Sequence, residues 1–128
     1  MVSYRTPLSR ARGLGSAKHG VGHWLSERVA AVALVPLMVW LGYAVLTLAR
    51  LDYYGAVEWV GHPLNAVLLV LTLAVSFMHM ASGLRVVIED YIEKHLTKAV
   101  LLLGNIFVCG LAGALAIFSI LKVALGGA

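Results

Sequence analysis

Three apolar runs, Val29 to Leu48, Leu64 to Val87 and Ala99 to Leu121, take up most of the 128-residue sequence. Each is long enough to cross a bilayer, since a helix rises about 1.5 Å per residue and about 20 residues cover roughly 30 Å of hydrocarbon. Inside that layer every backbone polar group needs an internal partner, which leaves helices or a closed barrel. Runs of this length between short polar connections choose the helix. The expected fold is an all-α membrane protein with three transmembrane helices and an extended amino-terminal arm. A composition of 61% hydrophobic and 12% charged residues, with mean hydropathy +0.91, fits that class and leaves no room for a soluble catalytic domain.

Residues 1–28 form the arm, which is basic and carries Pro7 and the glycines Gly13, Gly15, Gly20 and Gly22. These residues disfavour a long helix, so the arm is expected to lie extended on a partner or on the membrane surface. The first long apolar run begins only at Val29 and has no small-residue cleavage site after it, so the arm is expected to be retained. Pro36 lies inside the first span, and the connection Leu51 to Pro63 places Tyr53, Tyr54 and Trp59 in a headgroup layer. Pro63 suits the first turn of the second span. Glu89 to Lys98 is a charged turn, and residues 122–128 are a short tail. In the third span Gly110 and Ala114 have the spacing that permits close helix approach.

Of the ten Lys and Arg, five lie in the arm, one in the first connection, three around the second turn and one in the tail. The positive-inside rule then puts the amino terminus and the Asp90-Tyr91 turn on the cytoplasmic or matrix side and the carboxyl terminus on the opposite side. This topology also accounts for the basic pI, and nucleic acid is not an expected partner. The single cysteine, Cys109, sits in an apolar run as a packing residue and excludes an internal disulfide.

Chemistry concentrates in Thr72 to Tyr91. Thr72, Ser76, His79, Gly83, Val86 and Asp90 recur at spacings of 4, 3, 4, 3 and 4, which puts the polar and small residues on one helix face turned inward. His79 lies eleven residues before Asp90, or about 16 Å, near the membrane midplane. An ionisable group at that depth is costly and marks a functional candidate. Three roles suit an imidazole there: a hydrogen bond to a neighbouring helix, a proton relay, or axial ligation of haem. Gly83, one turn along, leaves the bare surface that a flat macrocycle needs, and Ser76 and Ser82 can orient the ring. No other histidine lies deep in a span, so a second axial ligand must come from another subunit. Tyr91 offers a phenol donor and Asp90 a carboxylate at the membrane surface, either as a site for a lipid-soluble carrier or as an ordinary helix end.

His79-x-x-x-Gly83 followed by Asp90-Tyr91, at the end of the second of three spans, resembles the small hydrophobic anchor subunit of succinate dehydrogenase, respiratory complex II. The stretch Arg5 to Trp24 is similar to its alphaproteobacterial form. The resemblance implies an anchor of succinate:ubiquinone oxidoreductase in the bacterial inner membrane that does not itself oxidise succinate. By the same resemblance, His79 is an axial ligand of haem b and hence of its iron, with the other ligand from a second, cytochrome b-type anchor. Tyr91 hydrogen-bonds ubiquinone, Asp90 stands in the proton path, and Arg28 lies near the haem propionates or the quinone pocket. The implied partners are that second anchor, an iron-sulfur subunit and, through it, a flavoprotein subunit. Arg85 stands outside the pattern and is expected to snorkel to the surface. The alternatives are a fumarate reductase-type anchor and a haem-free structural or assembly protein in which His79 only packs helices.

Overall fold

The computed structural model describes residues 6–12 and 20–126. Five helices follow in order: α1 (Pro7–Ala11), α2 (Gly20–Leu48), α3 (Tyr53–Gly61), α4 (Pro63–Tyr91) and α5 (His95–Ala124). Three of them contain stretches long and apolar enough to cross a membrane, Trp24–Leu48, Pro63–Tyr91 and His95–Ala124. At 29 residues, α4 is about 44 Å long, well beyond the roughly 30 Å of hydrocarbon, so its last turns with Glu89, Asp90 and Tyr91 project toward water.

The helices begin earlier than the apolar runs, and α4 and α5 also end later, because polar residues at a span end keep helical geometry while they reach the headgroups. The arm differs most from expectation. Pro7–Ala11 forms a short helix, and α2 starts at Gly20, nine residues ahead of Val29, with Gly20 and Gly22 inside it. Helical geometry is open to glycine, and continuity with the apolar helix overrides its weak propensity. The remainder of the expected extended arm, residues 1–5 and 13–19, lies outside the described residues. Pro36 sits inside α2, and the helix continues through it.

The first connection holds a helix that apolar periodicity did not announce. Asp52 caps α3 by accepting a 3.0 Å hydrogen bond from the Gly55 N–H, and a Cβ at Gly55 would lie 2.9 Å from the same carboxylate oxygen. His62 ends α3 and begins α4, with Pro63 in the first turn as expected. The Asn65 side chain donates to the Trp59 carbonyl at 2.9 Å, and the Trp59 ring stacks on Trp40 of α2 with centroids 6.1 Å apart. These contacts tie α3 to the start of α4 and to the Trp40 ring, and its backbone packs against α4 and α5. At the far end of the molecule, Ile92 to Lys94 join α4 to α5, and the Lys98 ammonium donates to the Glu89 carbonyl at 2.7 Å.

Helix α4 is central, packed by α2 on one side and by α5 on the other. The α4–α5 contact uses a stripe of α5 with a spacing of four: Asn105, Cys109 and Gly113. Asn105 donates to the Ala81 carbonyl at 2.8 Å, Cys109 is buried and donates to the Asn105 carbonyl oxygen at 3.2 Å, and Gly113 meets Phe77. A Cβ at Gly113 would stand 3.1 Å from the Phe77 ring. Close approach therefore falls on Cys109 and Gly113, while Gly110 and Ala114, which share the same spacing, are exposed. Few apolar side chains are buried within the chain, namely Leu37, Ala44, Ala66, Leu69 and Cys109, while large ones such as Val39, Phe107 and Phe118 are exposed along the spans. A chain with so small a core of its own depends on lipid and partner helices to cover its surface.

Candidate functional site

The polar face of α4 divides along its length. Thr72 is 2% exposed and satisfies itself by donating to the Leu68 carbonyl at 2.7 Å, and Ser76 and His79 are half-buried. Beyond them Gly83, Val86 and Asp90 are exposed. The inward-facing expectation holds for the deep half and fails for the rest, because α2 covers only part of this face.

His79, Gly83 and Val86 form one wall of a groove of about 280 Å³, and Trp24, Glu27, Arg28 and Ala31 of α2 form the other. Each wall is one helical face, with spacings of 4 and 3 on α4 and of 3, 1 and 3 on α2. The groove is narrowest in side chain at Gly83, where a Cβ would meet no atom within 4 Å. Within it the His79 Nδ1 atom is buried with no hydrogen-bond partner among the described residues. A buried ring nitrogen left without a partner is costly, and the cost is relieved when a bound group or a partner subunit completes the site. Arg28 lies over the Trp24 ring, its guanidinium carbon 5.4 Å from the centroid, which fixes a cation at the rim. Beside it, Glu27 places a buried carboxylate oxygen in the same groove.

These features fit a flat cofactor ligated at its centre. His79 lines the same groove as the side-chain-free Gly83, and one cation stands at its membrane-surface end, where acidic substituents of such a cofactor would lie. No group of three or more His, Cys, Asp and Glu side chains is gathered among the described residues. A metal held by His79 would therefore take its remaining ligands from outside the described residues.

Of the residues singled out in the sequence, the structure brings His79, Gly83 and Arg28 together and leaves two apart. Asp90 lies on the His79 face of α4 but three turns along and exposed. Tyr91 is 81% exposed and lines a separate shallow depression of about 300 Å³ with Ile92, Glu93, Lys94 and Thr97. Ser82 turns away from His79 into the α4–α5 groove, beside Arg85. Arg85 reaches the surface as expected and there meets Glu89, its Nε donating at 2.8 Å. Two residues had escaped sequence reasoning, Glu27 in the His79 groove and Asn105 between the helices. The i, i+3, i+4, i+7 spacing of Trp24, Glu27, Arg28 and Ala31 was the available signal for the first, and an amide inside an apolar span for the second.

Comparison with known proteins identifies the family. The family model for the succinate dehydrogenase/fumarate reductase transmembrane subunit matches residues 2–113. A succinate dehydrogenase hydrophobic membrane anchor subunit from Rickettsia conorii (strain ATCC VR-613 / Malish 7) is 38% identical over 104 residues, covering 80% of this chain and 82% of the relative. One from Rickettsia bellii (strain RML369-C) is 36% identical over 90 residues, 70% and 72% of the two chains. One from Paracoccus denitrificans is 31% identical over 125 residues, 98% and 96% of the two chains.

Proposed function

Because the chain belongs to the succinate dehydrogenase/fumarate reductase transmembrane subunit family, as a relative of its hydrophobic membrane anchors, we propose that it is the membrane anchor of a succinate:ubiquinone oxidoreductase. In this reading His79 is one axial ligand of haem b, and Tyr91 forms part of the ubiquinone reduction site. The observation that carries it is the His79 groove: a buried imidazole nitrogen without a partner beside a glycine whose surroundings are open. Residues 1–28 lie on the cytoplasmic side, the bundle of 29–121 crosses the bacterial inner membrane three times, and the tail 122–128 is periplasmic. Orientation follows from the charge of the arm.

Labour is divided among subunits. A flavoprotein subunit oxidises succinate and an iron-sulfur subunit carries the electrons to the membrane, where a second anchor supplies the other haem ligand. Haem b, when bound, offers a one-electron acceptor beside the quinone site. The residues of this chain bind and orient. His79 would hold the iron, Gly83 would leave space for the macrocycle, and Arg28 would pair with its acidic substituents at the groove's outer end. Tyr91 donates a hydrogen bond from its phenol to a carbonyl oxygen of ubiquinone, which stabilises negative charge as that oxygen is reduced. Asp90, exposed next to it, passes protons from the aqueous side to the reduced ring. Net, ubiquinone gains two electrons and two protons.

The test uses the purified complex with Tyr91→Phe. Succinate oxidation coupled to a soluble dye, which bypasses the quinone site, stays unchanged, while succinate:ubiquinone activity falls by about 100-fold to 1,000-fold, the scale of one lost charge-stabilising donor. Unchanged quinone activity removes Tyr91 from the site. Faster fumarate reduction than succinate oxidation, measured on the same native preparation, moves the complex to the fumarate reductase side of the family.

A further inference from the structure

The groove between α4 and α5 is larger than the one that holds His79, about 500 Å³, and the function above makes no use of it. Its lining changes character along its length. Deep in the span the walls are Ala81, Leu102 and Ile106, and the amide of Asn105 in that region is engaged at both ends, by the Ala81 carbonyl and by the Cys109 thiol. At the mouth stand Arg85 and Glu89. From Ala81 to Glu89 is about 12 Å of helix, enough to pass from hydrocarbon to headgroups. An occupant must match both halves, apolar inside and ionic outside.

Glu89 gathers two cations from different helices. Arg85 Nε donates to its carboxylate at 2.8 Å, and Lys98 Nζ of α5 donates to its main-chain carbonyl at 2.7 Å. Among the described residues these two cations outnumber the one carboxylate at the mouth, and the guanidinium has N–H groups beyond the Nε–H that donates to Glu89. In the following turn Glu93 and Lys94 offset each other, and Asp90 lies about 100° round α4 from Glu89. The complement of this arrangement is one phosphodiester attached to an acyl chain. We propose that the α4–α5 groove binds a phospholipid, with its phosphate at Arg85 and Lys98 and a chain along Ala81, Leu102 and Ile106. A basic mouth on a groove between transmembrane helices, at the cytoplasmic surface, is a physical setting that selects such head groups. The proposal rests on the membrane-spanning fold and is independent of the haem and quinone roles.

The experiment is native mass spectrometry of the purified complex, stripped of loose lipid in detergent and then titrated with phosphatidylglycerol in mixed micelles. The native complex keeps one phospholipid per copy of this chain. Arg85→Gln with Lys98→Gln rebinds it roughly 30-fold more weakly, the effect of removing two cations near a membrane surface. Lys98→Gln alone gives an intermediate loss, and Ile106→Trp, which fills the groove and leaves both cations, also releases the lipid. Unchanged retention in the charge and groove variants overturns the proposal. So does equal occupancy by inorganic phosphate, which would make the mouth a simple anion site, or cross-linking of Ile106→Cys to another subunit, which would make the groove a protein interface.

Discussion

At the scale of single residues, the account turns on what fills the space beside His79. Its Nδ1 is buried without a partner among the described residues, while Gly83, on the same face, has nothing within 4 Å of a would-be Cβ. A packing histidine finds a hydrogen-bond partner for each buried ring nitrogen, and this Nδ1 has none among the described residues. Gly83→Leu separates the two meanings. Leucine is the better helix former by up to about 1 kcal/mol, and the chain offers it room, so α4 folds as well or better. Haem absorbance per complex nevertheless falls sharply, because the side chain occupies the macrocycle's place. Full haem content in that variant, with normal assembly, contradicts the placement. His79 was legible in the sequence because an ionisable group in mid-span has few innocent explanations. Glu27 was not, since it borders Arg28 at the edge of an apolar run, and only the packing of α2 on α4 turns its carboxylate into the groove.

At the scale of elements, α4 and α5 are held by the stripe Asn105, Cys109 and Gly113. Gly113→Val pushes new atoms into the Phe77 ring, already 3.1 Å from the Cβ position, and lowers stability by about 1–3 kcal/mol, the usual cost of overpacking. Thermal inactivation of the complex reads this directly, and adding Phe77→Ala to Gly113→Val recovers part of the loss if the clash is its cause. Asn105→Leu, which removes the interhelical hydrogen bond to Ala81, costs about 0.6–1.7 kcal/mol by the same measurement. The three spans were plain from apolar length alone. Which small residues make the contact was not: several share the four-residue spacing in α5, and the position of Phe77 on another helix selects Gly113 over Gly110. Helix α3 was hidden for a different reason. Its nine residues are too few to cross a membrane, and it is held by an Asp52 cap, a Trp40–Trp59 stack and the Asn65 amide, contacts of which only the cap is local in sequence.

At the scale of the whole molecule, the chain is a thin layer of three long helices with α4 in the middle and little buried apolar surface of its own. Such a layer is stable only when lipid and other subunits cover it, which suits a protein whose candidate sites are each half-built. His79 Nδ1 has no hydrogen-bond partner among the described residues, and Tyr91 stands exposed in a shallow depression. Topology is open to test: with Cys109 replaced by alanine, Glu93→Cys is labelled by a membrane-impermeant maleimide from the cytoplasmic face and Glu58→Cys from the periplasmic face. Labelling of both from one face contradicts the three-span arrangement. The most direct test of the central claim is the dithionite-reduced minus oxidised optical spectrum of the purified complex, native against His79→Leu, the two matched by soluble-dye succinate oxidation. The account predicts a b-type haem signal in the native complex that is lost or strongly altered in the variant. An identical signal in both would place the haem ligand elsewhere and return His79 to helix packing.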